Sequence, residues 1–520
     1  MYRKRPYPAE RVERKISAAT SIFLCVLTVL LQIATTFLLT RFLQEYSHYA
    51  YAVLQLAGAV VAIGVYQRPG SPSYKLVWMC LLLALPVAGM ILFFLWGGAR
   101  QAKSLSLKKV APLPERESVQ MGCNANLSRL KRQSPRWGRT AAYLQKRGFL
   151  LHRNTNVKYF GDGTEFFNDL IDHLAGAETY IFLEYYILAE GQLWDRIFQV
   201  LKRRATAGVE VCIIFDDFGN LTRLSDETLQ AIQEAGIEVQ VFNPVHRYIS
   251  RIYFNYRDHR KIAVIDGHYA YTGGFNVADE YANLIERFGH WKDSGVRIEG
   301  DAAWGFATQF MRMWKMMGRT LPNEDDFYRS RLEPAEGEGF CQPFTDGPLN
   351  NPDNPVEEVY LQLIASAEKM LYITTPYYAV EESMQKALCM AADGGVDVRL
   401  LVPAIPDKKY AYMVAETYWG ELLEHGVKIY KYTPGFLHAK SVLVDREVAL
   451  VGSTNMDYRT FQLHYECAAL MYHAPMVEEL LEDMDRIMEQ SALYTLEEWK
   501  KRSGWRRFWG AIFRVADIWI

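Results

Sequence analysis

The sequence predicts a duplicated α/β fold, two mixed-sheet halves related by a pseudo-twofold and preceded by transmembrane helices, and three observations predict it. HRKIAVIDGHYAYTGGFN (259–276) and HAKSVLVDREVALVGSTN (438–455) share the pattern H-x-K-x4-D-x6-G-[GS]-x-N. Around both copies, strand-like apolar runs alternate with helical stretches, as in α/β domains. Ahead of them lie three apolar runs long enough to be read against a bilayer. A chain of 520 residues is ample for two such halves and a membrane part.

A basic tail, residues 1–15, opens the chain. The run ISAATSIFLCVLTVLLQIATTFLLT (16–40) contains no charged residue and reaches the roughly 20 apolar residues that cross a bilayer core. Its apolar part is too long, and too free of a small-residue cleavage site, for a removable leader. A second run at 49–66 is shorter. A third at 76–97 is again of full length, with Pro86 accommodated as prolines are where neighbouring helices re-satisfy the freed carbonyl. Basic residues flank both ends of this membrane region (16–98), so the positive-inside rule leaves its orientation open. The part of the chain beyond residue 148 is expected on the cytoplasmic side of a multi-pass cell-membrane protein. Residues 99–148 are polar, basic and punctuated by prolines, which reads as a solvated linker or as a segment lying along an anionic lipid surface. The seven cysteines, at 25, 80, 123, 212, 341, 389 and 467, form no CxxC pair, which fits neither a zinc site nor a disulfide framework and favours a reducing compartment.

The two halves are read as 149–335 and 336–497. The stretches 179–217 and 370–403 run in the same order: an apolar strand, a Tyr-Tyr pair, an amphipathic helix, then Gly-Val-x-Val opening a second strand. Gly208 and Gly395 are placed to end those helices. A repeat of this length indicates duplication rather than a solenoid. One H-x-K-x4-D is a weak signal; two with matched continuations exclude coincidence. Last, the basic aromatic segment 498–520 reads equally as an interfacial amphipathic helix and as a terminal helix docked on the globular core.

Alternate residues of a strand share a face, which sets His259 beside Lys261 and His438 beside Lys440. Asp266 and Asp445 complete each motif; an odd number of positions further on, at a hairpin turn, they read mainly as loop-holding groups. Asn276 and Asn455 return an amide towards the histidine–lysine face, and Gly273, Gly274, Gly452 and Ser453 permit close backbone approach. Such a doubled set of cations and donors suits a phosphate. Opening a phosphodiester without a metal needs a nucleophile, an acid for the departing alkoxide, and cations for the equatorial oxygens. Two histidines divide the first two tasks and the lysines take the third. Each imidazole also needs an acceptor on its other nitrogen: Asp293 is the first half's candidate and Glu466 the second's. His152, His268 and His473 belong to no repeated constellation and read as structural.

At this point the residues resemble the phospholipase D superfamily, and their surroundings resemble its bacterial cardiolipin synthases. The closer likeness rests on 257–281, WKDSGVRIEG (291–300), TPYYAVEESMQKAL (375–388), HAKSVLVD (438–445) and GSTNMDYRTFQLHYE (452–466), and on an amino-terminal hairpin like 73–98. Thr460 and His464 depart from it, standing where serine and asparagine are expected, as do the additional first apolar run and the ending FRVADIWI. The resemblance implies a phospholipase D-type fold and a phosphatidyl transfer between two phosphatidylglycerol molecules through a phosphatidyl-histidine, giving cardiolipin and glycerol. It implies His259 as nucleophile, His438 as acid and then base, Lys261, Lys440, Asn276 and Asn455 on the phosphate, and no metal or cofactor. The implied partners are phosphatidylglycerol and anionic membrane lipids, with no required protein partner.

Related readings use the same residues. A hydrolytic phospholipase D passes the intermediate to water, and another phosphatidyl transferase passes it to a different alcohol. A nuclease of the superfamily is disfavoured by the apolar runs and by a formal net charge of −2, which gives no footprint for nucleic acid. An inactive lipid-binding scaffold is disfavoured because both motifs are intact.

Overall fold

In the computed structural model, residues 27–42, 46–68, 70–97, 107, 116–244, 256–321, 337–349 and 354–515 are described. The tail 1–15, the start of the first apolar run and most of 99–115 lie outside them.

Two mixed sheets repeat one another strand for strand. The first runs Thr155–Phe160, Gly295–Gly300, Tyr269–Gly273, Lys261–Ile265, Tyr180–Tyr185, Glu210–Asp216, Glu238–Phe242. In the second, Phe340–Asp346, His464–Tyr472, Val448–Gly452, Ser441–Val444, Met370–Thr374, Asp397–Pro403 and Lys428–Tyr432 occupy the same places. Ser491–Tyr494 adds an antiparallel strand at its last edge. The period-two pattern of the buried strands divides the side chains between layers. Ile181 and Leu183 join an outer core with the helices Gly163–Ala175 and Gln192–Thr206, while Tyr180 and Phe182 join a central core. That central core belongs to both halves, which face each other across the helices Ala303–Met316 and Met476–Glu489. A further outer core covers the second sheet. Gly208 and Gly395, at φ +93 and +92, do follow the ends of their helices.

The apolar runs differ from expectation. Among the described residues only Ser47–Tyr66, the run that reads as short, forms a helix long and apolar enough to cross a membrane. The first run is helical over Leu27–Phe42. The third does not continue through Pro86 but breaks into Pro72–Ala84 and Pro86–Trp96, with Leu85 at φ −129, ψ 73. Proline lacks the amide proton and forces its predecessor out of the helical region. Two glutamines satisfy the groups exposed by the break. Gln32 Oε1 accepts from the amides of Val87 and Ala88 (2.9 and 3.1 Å), and Gln55 Nε2 donates to the Leu83 carbonyl (2.6 Å).

The second correction concerns residues 99–148, which composition reads as linker. Beyond Arg116 they form two helices, Glu117–Gln133 and Pro135–Lys146. Leu130, Trp137, Ala141 and Leu144 enter the outer core of the second half, and Arg136 bonds to Asp445 and Glu447. A sparse apolar stripe within a basic sequence was enough to dock them. At the other end of the chain the helix Gly504–Val515 lies on Lys409–Glu424, with Gly510 at the crossing, where a Cβ would stand 2.9 Å from the Met413 carbonyl oxygen.

Candidate active site

Each motif histidine sits in a gap between a short strand and a central strand. Arg257–Asp258 precedes His259, and Gly435–Leu437 precedes His438. Neither histidine lies on the strand that follows it, so the expectation of histidine and lysine alternating along one strand is corrected. The reason is that the short strands pair elsewhere, with the opposite half. Arg257–Asp258 runs parallel to His464–Tyr465, and Gly435–Leu437 parallel to His290–Lys292. The backbone continues the exchange: His259 N donates to Tyr465 O (2.9 Å) and His438 N to Lys292 O (2.7 Å). Buried charge fixes the first strap, because Arg257 bonds to Asp216 (3.2 Å) and Arg260 pairs with Asp258 (3.0 Å) and Glu184.

This exchange crosses the carboxylates. His259 Nδ1 lies 2.9 Å from Glu466 Oε1 and His438 Nδ1 lies 2.5 Å from Asp293 Oδ2. The pairing of Asp293 with the first half's histidine and Glu466 with the second's is therefore reversed: each imidazole is held by the other half. A carboxylate only accepts, so each Nδ1 carries the proton and each Nε2 keeps its lone pair. The two carboxylates are seated differently. Gly274 makes room for Asp293, since a Cβ there would stand 1.9 Å from Asp293 Oδ1. In the second half Ser453 occupies that place, and its hydroxyl donates to the longer Glu466. Gly273 and Gly452 keep the adjoining strands close, their Cβ positions being 2.3 and 2.4 Å from the Ser294 and Cys467 carbonyl oxygens.

Lys261 and Lys440 are fully buried, and each ammonium donates back to the carbonyl of its motif histidine. Asn276 accepts from the Ile187 amide (3.0 Å) and donates to the Tyr281 hydroxyl (2.8 Å); Asn455 donates to Thr460 (3.4 Å). Asp266 and Asp445 are brought elsewhere. Asp266 accepts from the amides of Glu178, Thr179 and Tyr180, and Asp445 from those of Glu368, Lys369 and Met370. Both stand at φ near +50 in the hairpin turns. Although they complete the motif that carries the catalytic histidines and lysines, both take the loop-holding position, at the end of the strand remote from the histidines.

A cavity of about 970 Å³ joins the halves and is lined by His259, His438, Asn276 and Asn455. Its remaining wall includes residues that the motif pattern alone does not single out, among them Tyr186, Tyr281, Trp291, Arg459 and His464. Tyr186 and Tyr281 stand edge-on to His259 and His438 at 4.9 and 5.3 Å. The Tyr-Tyr pair of the repeat was a signal for the first of these. Trp291 packs on His438 (5.3 Å) in the place where His464 packs on His259 (5.4 Å).

Burial governs the charges. It pushes His259 well below its usual value, with Lys261 and His464 adding to the effect. His438 is lowered to about 4 by burial and Lys440, opposed by Asp293. Lys261 falls to about 8 and Lys440 to about 7, again chiefly through burial. Burial raises the Glu466 carboxyl, against Lys261 and Ser453. The site thus has a neutral imidazole on each side and lysines whose full charge awaits an anion. Among the described residues His259, His464 and Glu466 also converge within 4.8 Å as possible metal donors. Their atoms are engaged, however: Glu466 holds His259 and Ser453, and His464 accepts from Arg459 (3.0 Å).

The family model described as cardiolipin synthase, PLD-like domain, matches residues 170–314 and 360–488, one segment in each half. A second, described as phospholipase D-nuclease N-terminal, matches 53–98, the apolar helices. A cardiolipin synthase of Listeria welshimeri serovar 6b is 33% identical over 479 residues, 89% of this chain and 97% of that one. An uncharacterised protein of Streptococcus mutans serotype c is 35% identical over 446 residues, 85% of this chain and 95% of its own length. In three dimensions the chain is similar to the phosphatidylserine synthase of Haemophilus influenzae Rd KW20, with a TM-score of 0.54, 14% identity and coverage of 70% of this chain and 95% of that one; the likeness is one of fold.

Proposed function

The chain belongs to the cardiolipin synthase family of phospholipase D-like proteins, and from that premise we propose that it transfers a phosphatidyl group from one phosphatidylglycerol to another, giving cardiolipin and glycerol. One observation carries the reading: two histidines, one from each half, each fixed at Nδ1 by the opposite half's carboxylate, line a single cavity.

His259 Nε2 attacks phosphorus, and the bond from phosphorus to the glycerol headgroup oxygen breaks. With the anionic phosphodiester bound beside it, His438 takes up a proton at Nε2, aided by Asp293 on Nδ1, and gives it to the departing oxygen. In the second step His438 takes the proton from a primary hydroxyl of a second phosphatidylglycerol, whose oxygen attacks phosphorus as the bond to His259 breaks. Two phosphatidylglycerols become one cardiolipin and one glycerol. Lys261 and Lys440, buried directly behind the histidines, supply positive charge to the phosphoryl oxygens, and the bound anion restores the charge that burial takes from them. The assignment of His259 as nucleophile is supported by its surroundings: burial and the nearby lysines lower both histidines, but at His438 Asp293 opposes the lowering, whereas His259 is held well below its usual value.

The protein is placed in the cell membrane as a multi-pass protein, supported by the helix Ser47–Tyr66 and the apolar helices packed beside it. We infer the cytoplasmic side for the catalytic halves, a reading supported by the free thiols of Cys212, Cys341, Cys389 and Cys467. Purified protein incubated with labelled phosphatidylglycerol in mixed micelles should release glycerol and form cardiolipin. Phosphatidic acid as the sole product would make water the acceptor and replace the synthase reading by a hydrolase.

A further inference from the structure

The helix Gly504–Val515 presents two different faces. Its inner face is part of the catalytic domain: Arg506 bonds to Glu416 (2.9 Å), Arg514 lies over the Tyr418 ring (4.0 Å), and Phe513 lines the cavity that holds both histidines. The outer face is apolar and uncovered, with Trp505 70%, Phe508 57%, Ile512 47% and Val515 66% exposed. The two faces are joined by an aromatic row, Trp505 to Trp509 (5.4 Å) and Trp509 to Phe513 (5.5 Å, stacked), so the outer surface and the cavity wall form one packed unit.

Further exposed apolar side chains stand at the cavity rim. Phe218 and Tyr410 line it, one from each half. Leu284 and Ile285 precede the lining residues Arg287 and Phe288, and Ile405 precedes Asp407 and Lys408. A soluble domain has no reason to surround a polar site with uncovered hydrophobic groups on both halves.

We propose that this helix and the apolar rim form a docking face for an anionic bilayer, holding the cavity mouth at the lipid surface so that phosphatidyl headgroups enter without leaving the membrane. The proposal rests on the phosphatidyl-transfer reading for its substrate. Three features favour a bilayer over a protein partner. Lys500, Lys501 and Arg507 are exposed beside Trp505 and Phe508, the pairing of cations and aromatics that lies at a headgroup boundary, whereas protein interfaces are depleted in lysine. Second, the turn between the helices Ser47–Tyr66 and Pro72–Ala84 reaches the site, with Ser71 and Tyr74 at Tyr458, beside the lining residues Asp457 and Arg459. The end of an apolar helix pair is therefore next to the cavity. Third, burying the outer face in lipid removes the exposed aromatic surface of Trp505 and Phe508 from water without disturbing the inner face.

The test compares full-length protein with a variant carrying Trp505→Ser, Phe508→Ser and Ile512→Ser, none of which lines the cavity. Both are assayed with phosphatidylglycerol in proteoliposomes and in mixed detergent micelles, where substrate reaches the site without docking. Turnover in liposomes should fall about tenfold or more while micellar turnover stays within a factor of about two. In parallel, tryptophan emission is followed with acyl-brominated lipids: the parent should show a quenchable component that disappears in Trp505→Phe. Unchanged liposome turnover, an equal fall in micelles, or quenching that Trp505→Phe leaves unaltered would each overturn the proposal. Loss of cardiolipin formation by the parent in both media would remove the reaction assignment instead, and the quenching measurement would still decide the docking.

Discussion

Replacing Glu466 with glutamine tests the crossed carboxylates directly. In the parent, Glu466 oxygens lie 2.9 and 3.2 Å from His259 Nδ1, and the Ser453 hydroxyl donates to the same carboxylate. Glutamine preserves the length of the side chain but leaves one acceptor oxygen, which Ser453 claims. The amide NH2 then faces Nδ1, which must become the acceptor, and the imidazole proton moves to Nε2, the nucleophilic atom. The same tautomer error in a serine-protease triad costs about 10⁴ in kcat, so a loss of about 10³- to 10⁴-fold is expected here, roughly 4–5.5 kcal/mol of barrier. Asp293→Asn should cost a similar factor with phosphatidylglycerol by misorienting His438. The two separate on a soluble phosphodiester with a nitrophenolate leaving group, which departs without a proton. Formation of the covalent enzyme, followed as a nitrophenolate burst, should then be largely restored in Asp293→Asn and stay suppressed in Glu466→Gln, because only the latter disables the attacking imidazole. Equal rescue of both variants, or a Glu466→Gln enzyme within tenfold of the parent and normally folded, would refute the reasoning.

Anion binding should be linked to proton uptake, because Lys440 near 7 and Lys261 near 8 are losing charge across neutral pH in the empty site. Calorimetry with a non-hydrolysable phosphonate should therefore show affinity falling as pH rises from 6 to 9, by up to about tenfold per unit for each lysine recharged, with protons taken up. Gly274→Ala places a methyl group 1.9 Å from Asp293 Oδ1, so Asp293 must leave His438; activity should fall at least about a hundredfold in steady-state assays, with thermal stability reduced far less than activity. Asp266→Ala should do the reverse. It strips the acceptor from three backbone amides, for a loss of roughly 2–4 kcal/mol in denaturant unfolding, while kcat per folded molecule stays within a few-fold. Gln32→Leu leaves the Val87 and Ala88 amides unsatisfied in apolar surroundings and should lower the melting temperature of the protein in detergent by several degrees.

The duplicated fold was legible because the repeat is written twice at the same spacing, and each local signal agrees with it. Gly208 and Gly395 marked the helix ends. Legible too were the residue types of the site, since cations, imidazoles and amides recur together. Partner choice was not. Nothing in HWKDSGV or FQLHYE states which histidine its carboxylate meets, because that depends on Arg257–Asp258 and Gly435–Leu437 leaving their own sheets to pair with the opposite half. Strands of two and three residues carry no periodicity to read. The helices at 117–146 were hidden for a related reason: their buried stripe of Leu130, Trp137, Ala141 and Leu144 is outnumbered by basic surface, and composition averages over both faces. At Pro86 hydropathy overrode the stereochemical signal. The run is apolar throughout, yet a proline needs a partner for what it frees, and Gln32 and Gln55 are polar residues whose purpose appears only when the helices are packed.

The departures from symmetry set the two histidines in different surroundings, as the proposed division of roles requires. An ideal twofold would present identical imidazoles, and a displacement needs one to attack while the other donates a proton. Asp293 is short, seated against Gly274, and meets His438 at 2.5 Å; Glu466 is longer, shared with Ser453, and meets His259 at 2.9 Å. Around His438 the neighbouring ring is Trp291, which is uncharged; around His259 it is His464, with Arg459 beyond it. A tight carboxylate favours the protonated form, while a shared carboxylate and the Arg459 guanidinium beyond His464 favour the neutral one. The duplication therefore supplies the matched pair of imidazoles, and three unmatched positions, 274 against 453, 293 against 466 and 291 against 464, fit the proposed division of the pair into an acid and a nucleophile.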